Sequence, residues 1–199
     1  MNNRVVRTVG LLLATLAGLA NADPGERIRI GGGVLSAPSG DWIREAAPGG
    51  ESVEFTRLYK WLGQTKGMTQ IIVFRNAVSP EVPDGPELIA SSFLAGEERI
   101  MREQGVAAGE YELSQLKRGE RMLAGRKLFT LDYRKKLSVL RHGRKAEDAQ
   151  LNLWFPDDFA QTREFYGFLV SELREKGAMV AKPDLSQIDP VILSFQLER

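Results

Sequence analysis

Apolar and polar residues alternate over short stretches of this chain, and the alternation predicts strands. Arg27-Ile28-Arg29-Ile30 reads as a short edge strand; Gly31-Gly32-Gly33 breaks it and Val34-Leu35 resumes. Pro38-Ser39-Gly40-Asp41 is a turn that delivers Trp42. Over 52–61, Val53, Phe55, Tyr59 and Trp61 oppose Glu54, Thr56 and Lys60, with Arg57 and Leu58 off the pattern. Residues 63–67 then turn the chain. Ile71-Ile72-Val73-Phe74 is a continuous apolar run between turn residues, the pattern of a central strand covered on both faces. Further strands are predicted over 111–118, 126–134 and 150–155, with 135–148 as a charged hairpin tip.

Two stretches have helical spacing. Asp84-Gly85-Pro86-Glu87 has the form of a capped start, and Ile89, Phe93, Gly96 and Ile100 follow up to a stop at Gly105. Pro156-Asp157-Asp158 opens a second stretch. Phe159, Thr162, Tyr166, Leu169 and Leu173 form its stripe, which predicts a helix to Gly177. Beyond it, Val191, Leu193, Phe195 and Leu197 alternate as a last strand. Strands joined by short turns make an antiparallel sheet. The expected fold is therefore α+β: a mainly antiparallel sheet flanked by two amphipathic helices, an α/β/α sandwich.

The N-terminal segment changes the picture of where the chain works. Arg4 and Arg7 precede an apolar run from Val9 to Leu19, and Ala20-Asn21-Ala22 has the small-residue form of a leader-peptidase site. The run is well short of the roughly 20 residues that span a bilayer. Residues 1–22 are thus expected to be a cleaved signal peptide, with no transmembrane segment after cleavage. Residues 23–199 would form a single globular domain, periplasmic or secreted. That length buries a core without staples. There is no cysteine, which excludes disulfides, thiolate metal sites and a cysteine nucleophile.

The element order and several short cues resemble the PsbP / Mog1 / DcrB-like superfamily. These are Leu35 through Trp42 (LSAPSGDW), the strands around 55–57 and 71–74, and the helix over 84–105. Leu123-Ala124-Gly125 ahead of the 129–133 strand and the segment from Leu153 to Phe159 (LWFPDDF) complete them. The resemblance covers about residues 34–176 and implies an antiparallel sheet between helical layers. It also implies an accessory or binding protein, with no catalytic motif to carry over. The chain departs from the pattern in a C-terminal extension, 178–199, and in having no lipid-anchor cysteine.

Charge is near zero overall but unevenly spread. Removing Arg4 and Arg7 takes the net charge from +1 to about −1, which does not point to nucleic acid. Residues 117–145 hold eleven Lys or Arg against two acids. Arg134, Lys135, Lys136, Arg141, Arg144 and Lys145 crowd one hairpin tip, with Arg126 and Lys127 lower on the same hairpin. This cluster is the candidate binding site, for an acidic protein, an anionic lipid headgroup or an envelope glycan.

Other features give no chemistry. His142 is the sole histidine and sits among cations with no orienting acid, so it builds neither a zinc site nor a triad. Gly31-Gly32-Gly33 precedes no helix and no G-K-[ST], so it is a turn and not a phosphate loop. Asp157-Asp158 and Glu97-Glu98 are adjacent pairs; helix capping and a wet helix face explain them. Trp42, Trp61 and Trp154 are core or groove residues, and Trp154 stays open between the two. No catalytic residue, metal ligand or cofactor site is assigned. The reading is an exported, non-enzymatic binding or accessory protein of the bacterial cell envelope. The alternatives are a small-molecule carrier, or a glycan hydrolase whose carboxylates meet only in three dimensions.

Overall fold

Two apolar runs, 71–74 and 165–170, become neighbouring central strands of one large antiparallel sheet. The computed structural model describes residues 20–46, 50–61, 64–79, 81, 85–103, 111–139, 143–175 and 185–198. In chain order the strands are β1 (Ala20–Ala22), β2 (Arg27–Ile30), β3 (Gly33–Ser36), β4 (Trp42–Ala46), β5 (Ser52–Trp61) and β6 (Gln64–Ala77). Helix α1 (Pro86–Glu103) follows, then β7 (Tyr111–Leu123), β8 (Arg126–Val139) and β9 (Gly143–Trp154). A helical turn α2 (Phe159–Thr162), β10 (Glu164–Glu175), a 3-10 turn (Leu185–Gln187), α3 (Ile188–Ser194) and β11 (Gln196–Leu197) complete the described chain.

The large sheet has the order β1-β4-β5-β6-β10-β9-β8-β7, and β11-β3-β2 forms a small second sheet. Side chains alternate across the large sheet, so each central strand feeds both faces. Ile71, Val73, Phe168 and Val170 join one core cluster, and Ile72, Phe74, Phe165 and Leu169 join the other. Residues of α3 and the small sheet lie in the first cluster. Ile89 and Ala90 of α1 lie in the second. We call these the α3 face and the α1 face. Burying a Leu, Ile or Phe in either cluster contributes about 1.5–3 kcal/mol.

The sheet and the first helix follow the sequence pattern, with longer strands. β6 starts at Gln64, so residues 64–67, expected in a turn, are strand. β8 and β9 run on through most of the expected tip, to Val139 and from Gly143. α1 begins at Pro86, where the N–H groups of Leu88 and Ile89 donate to the Gly85 carbonyl at 3.1 Å each. Asp84 and Gly105, the expected cap and stop, lie outside the described residues.

Two expectations are corrected. The helix over 156–177 is a single turn, α2, after which Arg163 adopts φ 58° and the chain enters β10. The run from Phe165 to Val170 is apolar on every side. A central strand buries all of it, whereas a surface helix would bury one stripe. Nor do the acids before α2 cap it by side chain: Asp158 makes no cap hydrogen bond. The second correction concerns the C-terminus. The strand expected over 191–197 is mostly helix α3, because Ile188, Val191, Ile192 and Phe195 follow i, i+3, i+4, i+7. Leu193, placed inward by the strand reading, is 49% exposed.

Candidate functional site

Of the six basic residues of the expected site, Arg134 and Lys135 have acidic partners on β9. Opposite pairs in the β8–β9 register are Arg134 with Asp148, Lys135 with Glu147, Lys136 with Ala146, and Ser138 with Arg144. Arg134 donates from Nε to Asp148 Oδ1 at 2.5 Å and from Nη2 to Oδ2 at 3.0 Å. That contact raises the Arg134 pKa further above its ordinary value, through the hydrogen bond first and the charge second. Lys135 is buried on the α1 face, with Nζ 3.9 Å from Glu147 Oε2 and 5.5 Å from the Tyr133 ring centre. Both residues are thus engaged inside the sheet. Lys136, Arg144 and Lys145 hold strand positions at the far end of the hairpin. Arg141 and His142 lie outside the described residues.

Arg126 stands at the other end of the hairpin and serves the fold. Its guanidinium donates to the carbonyls of Ile192 and Phe195 at the end of α3, and it lies 4.9 Å from the Trp154 ring centre. Burial lowers its pKa from the ordinary arginine value. Trp154 packs against the α3-face cluster, 5.8 Å from Tyr166 and 6.0 Å from Phe195. Trp42 is 3% exposed in the same cluster. Trp42 is therefore a core residue, and Trp154 is half-buried at the edge of the same cluster. Lys127 pairs with Glu120 at 3.0 Å.

A polar row that the sequence pattern does not reveal crosses the α3 face. The registers place Arg134, Asp148, Glu172, Thr69 and Arg57 side by side on β8, β9, β10, β6 and β5. Asp148, Glu172 and Thr69 are 7%, 3% and 4% exposed, so the middle of this row is interior. Arg57 donates to Gln187 Oε1 at 3.0 Å and lies 4.9 Å from the Trp42 ring centre. On the other side Arg121 donates to Asn152 Oδ1 at 3.0 Å and to Asp189 Oδ1 at 2.6 Å. The start of α3 is thereby tethered to β5 on one flank and β7 on the other. Residues 185–197 close the α3 face and are not an appendage to it. The row is invisible in one dimension because strands far apart in sequence make it; Asp148 and Glu172 alone look like surface acids.

The remaining candidates fall out simply. Gly31 turns the chain at φ 55° and donates its N–H to the Gly50 carbonyl at 2.9 Å. Gly33 is packed against the Phe195 ring. Asp157 is exposed. The side chains of Glu97 and Glu98 lie outside the description. Among the described residues no group of three or more His, Asp or Glu is placed to hold a metal ion. Nor is any helix among them long and apolar enough to cross a membrane.

Comparison with known proteins agrees with the resemblance seen in the sequence. Among solved structures, the solution structure of cyanobacterial PsbP (CyanoP) from Synechocystis sp. PCC 6803 is similar to this chain. The two are 15% identical with a TM-score of 0.48, over 94% of this chain and 98% of that one. The chain resembles PsbP. No protein-family profile and no curated protein matches the chain.

Proposed function

We propose that this is an exported, non-enzymatic binding or accessory protein of the bacterial cell envelope. Residues 1–22 are its cleaved leader, residues 23–199 its single domain, and the periplasm or the exterior its place of work. The leader pattern in the sequence supports this location. We read the large sheet as the middle of an α/β/α layering whose second helix is α3 and not 156–177. The α3-face and α1-face clusters support that reading.

The site of binding is the far end of the β8–β9 hairpin, and its target is anionic. One observation carries this. The register brings the strand positions of Lys136, Arg144 and Lys145 to one end of the sheet, where they outnumber the acids opposite them, Glu112 on β7 and Glu175 on β10, and Arg141 adds a fourth cation to the same stretch of sequence. Arg134 and Lys135 already have acids of their own. A small cationic end of this kind attracts an anionic surface by about 1 kcal/mol per residue. The alternative of a glycan hydrolase has one attraction, the facing pair Asp148 and Glu172. At 7% and 3% exposure this pair offers no surface to a sugar, and Arg134 already holds Asp148, so we do not adopt it.

The test is a cross-linking capture from envelope extract with residues 23–199 as bait. Beside it runs a variant with Lys136, Arg141, Arg144 and Lys145 changed to Gln; Arg134 and Lys135 stay, because the fold uses them. A partner held by the first and lost by the second supports the reading. Equal capture by both overturns the assignment to the hairpin end.

A further inference from the structure

The leader-peptidase motif is not free in the folded chain. Ala20, Asn21 and Ala22 form β1, the outermost strand of the large sheet, paired with Arg44, Ile43 and Trp42 of β4. The residues just past the motif are held as well. Glu26 donates its N–H to the Asp23 carbonyl at 2.9 Å, closing a turn through Pro24 and Gly25. Gly25 donates to the Ala37 carbonyl at 3.3 Å, and Ala37 donates back to Glu26 at 2.8 Å. The Glu26 carboxylate is also ion-paired with Arg44 of β4. The bond between Ala22 and Asp23 therefore sits between a paired strand and a pinned turn.

A protease that reads an extended segment must take that segment into its own cleft, where the backbone groups of the substrate pair with the enzyme. Here one side of that backbone is already paired with β4, which holds the segment against the sheet and out of a cleft. Cutting sites concentrate in exposed, unpaired loops for this reason. We infer that folding hides the cleavage site: the leader is removed from the unfolded chain, and a precursor that folds first resists processing. This inference rests on the export reading above. The reaction itself is simple hydrolysis. The Ala22–Asp23 amide breaks, water gives its hydroxyl to the Ala22 carbonyl carbon, and its remaining proton goes to the Asp23 nitrogen.

Resistance has a limit set by the strand. β1 is three residues long and lies at an edge, where local opening is easiest. When opening and closing are fast, cleavage follows the fraction of time the strand is open. The protection should thus be partial, and weaker pairing should shorten it. Removing β1 also makes β4 the sheet edge in the processed protein.

The experiment compares the refolded full chain with a synthetic peptide of residues 1–30, each incubated with purified leader peptidase in detergent micelles. Tryptophan fluorescence establishes that the full chain stays folded. The folded chain should be cut at least roughly ten-fold more slowly than the peptide. A second pair carries Asn21→Pro, which removes a backbone donor from β1 while keeping both alanines of the motif. Each chain is compared with its own peptide, so any effect of proline on the peptidase cancels. The slowing should shrink toward unity in the Asn21→Pro pair. Equal rates for the wild-type chain and peptide, or undiminished slowing with proline, overturn the inference. A wild-type peptide left uncut after Ala22 overturns the export reading, and this inference with it.

Discussion

The guanidinium of Arg134 on β8 grips the carboxylate of Asp148 on β9 through two hydrogen bonds, at 2.5 Å and 3.0 Å. Asp148 in turn faces Glu172 across the β9–β10 pair. Arg134→Gln leaves two buried carboxylates side by side with one fewer cation. Losing a partner from a fully buried pair costs about 3–5 kcal/mol. The Arg134 side chain is 43% exposed, so solvent tempers the loss, and we predict about 2 kcal/mol. Adding Asp148→Asn to Arg134→Gln should recover most of it by removing one of the facing charges. Urea unfolding of the single and double variants checks both statements.

Arg126 and Phe195 fasten the C-terminal segment to the sheet, so that segment should be indispensable. Phe195 is fully buried among Trp154, Tyr166 and Phe168. Phe195→Ala is predicted to cost about 3–5 kcal/mol. Arg126→Lys should cost about 1–2 kcal/mol. A lysine cannot reach the Ile192 and Phe195 carbonyls with one planar fork while stacking on Trp154. A chain ending before Ile188 loses three further buried residues, Ile188, Val191 and Ile192, and should not fold cooperatively. Thermal melts followed by tryptophan fluorescence read all three variants.

Gly167 occupies the middle of β10 for want of space. A Cβ built there falls 2.0 Å from Cζ of Phe74, on the neighbouring strand. The glycine gives up side-chain packing so that the Phe74 ring can lie across the strand. Gly167→Ala must displace a ring that is 3% exposed, and overpacking of this kind costs about 1–3 kcal/mol. Adding Phe74→Leu should return part of the loss. A double-mutant cycle measured by denaturation therefore gives a favourable coupling between the two substitutions.

The sequence shows the strands better than it shows their neighbours. Alternation over 52–61 and 126–134 and the apolar run at 71–74 are local signals, and the strands lie there. The run at 165–170 is the same signal, but Phe159, Thr162, Tyr166, Leu169 and Leu173 overlay a helical stripe on it. Periodicity alone does not separate the two. Gly167 disfavours a helix, and the aromatics beside it favour the strand. The tail errs in the opposite sense: alternation at 191–197 hides the better helical face of Ile188, Val191, Ile192 and Phe195. The candidate site fares worse, for a physical reason. Whether a lysine is a solvated cation or a buried partner depends on the strand across from it, and register is not written in a single strand. Lys135 and Lys136 are adjacent in sequence, yet Lys135 takes a buried place opposite Glu147 and Lys136 takes the place opposite Ala146.

Lys135 and Glu147 yield the last prediction, because theirs is a costly pair. They face each other on the α1 face with side chains 9% and 6% exposed, yet Nζ and Oε2 are 3.9 Å apart. Glu147 Oε1 is buried with no hydrogen-bond partner. Removing both charges from water is expensive, and a long contact returns little of that cost. Lys135→Met alone strands the carboxylate and should destabilise the fold by about 3–5 kcal/mol. Lys135→Met with Glu147→Leu keeps similar volume in an apolar setting beside Tyr133 and Leu173. The double variant should be as stable as the parent, or up to a few kcal/mol more stable. Urea midpoints of the parent, single and double variants decide the matter. A double variant as unstable as Lys135→Met would mean that the pair stabilises the sheet.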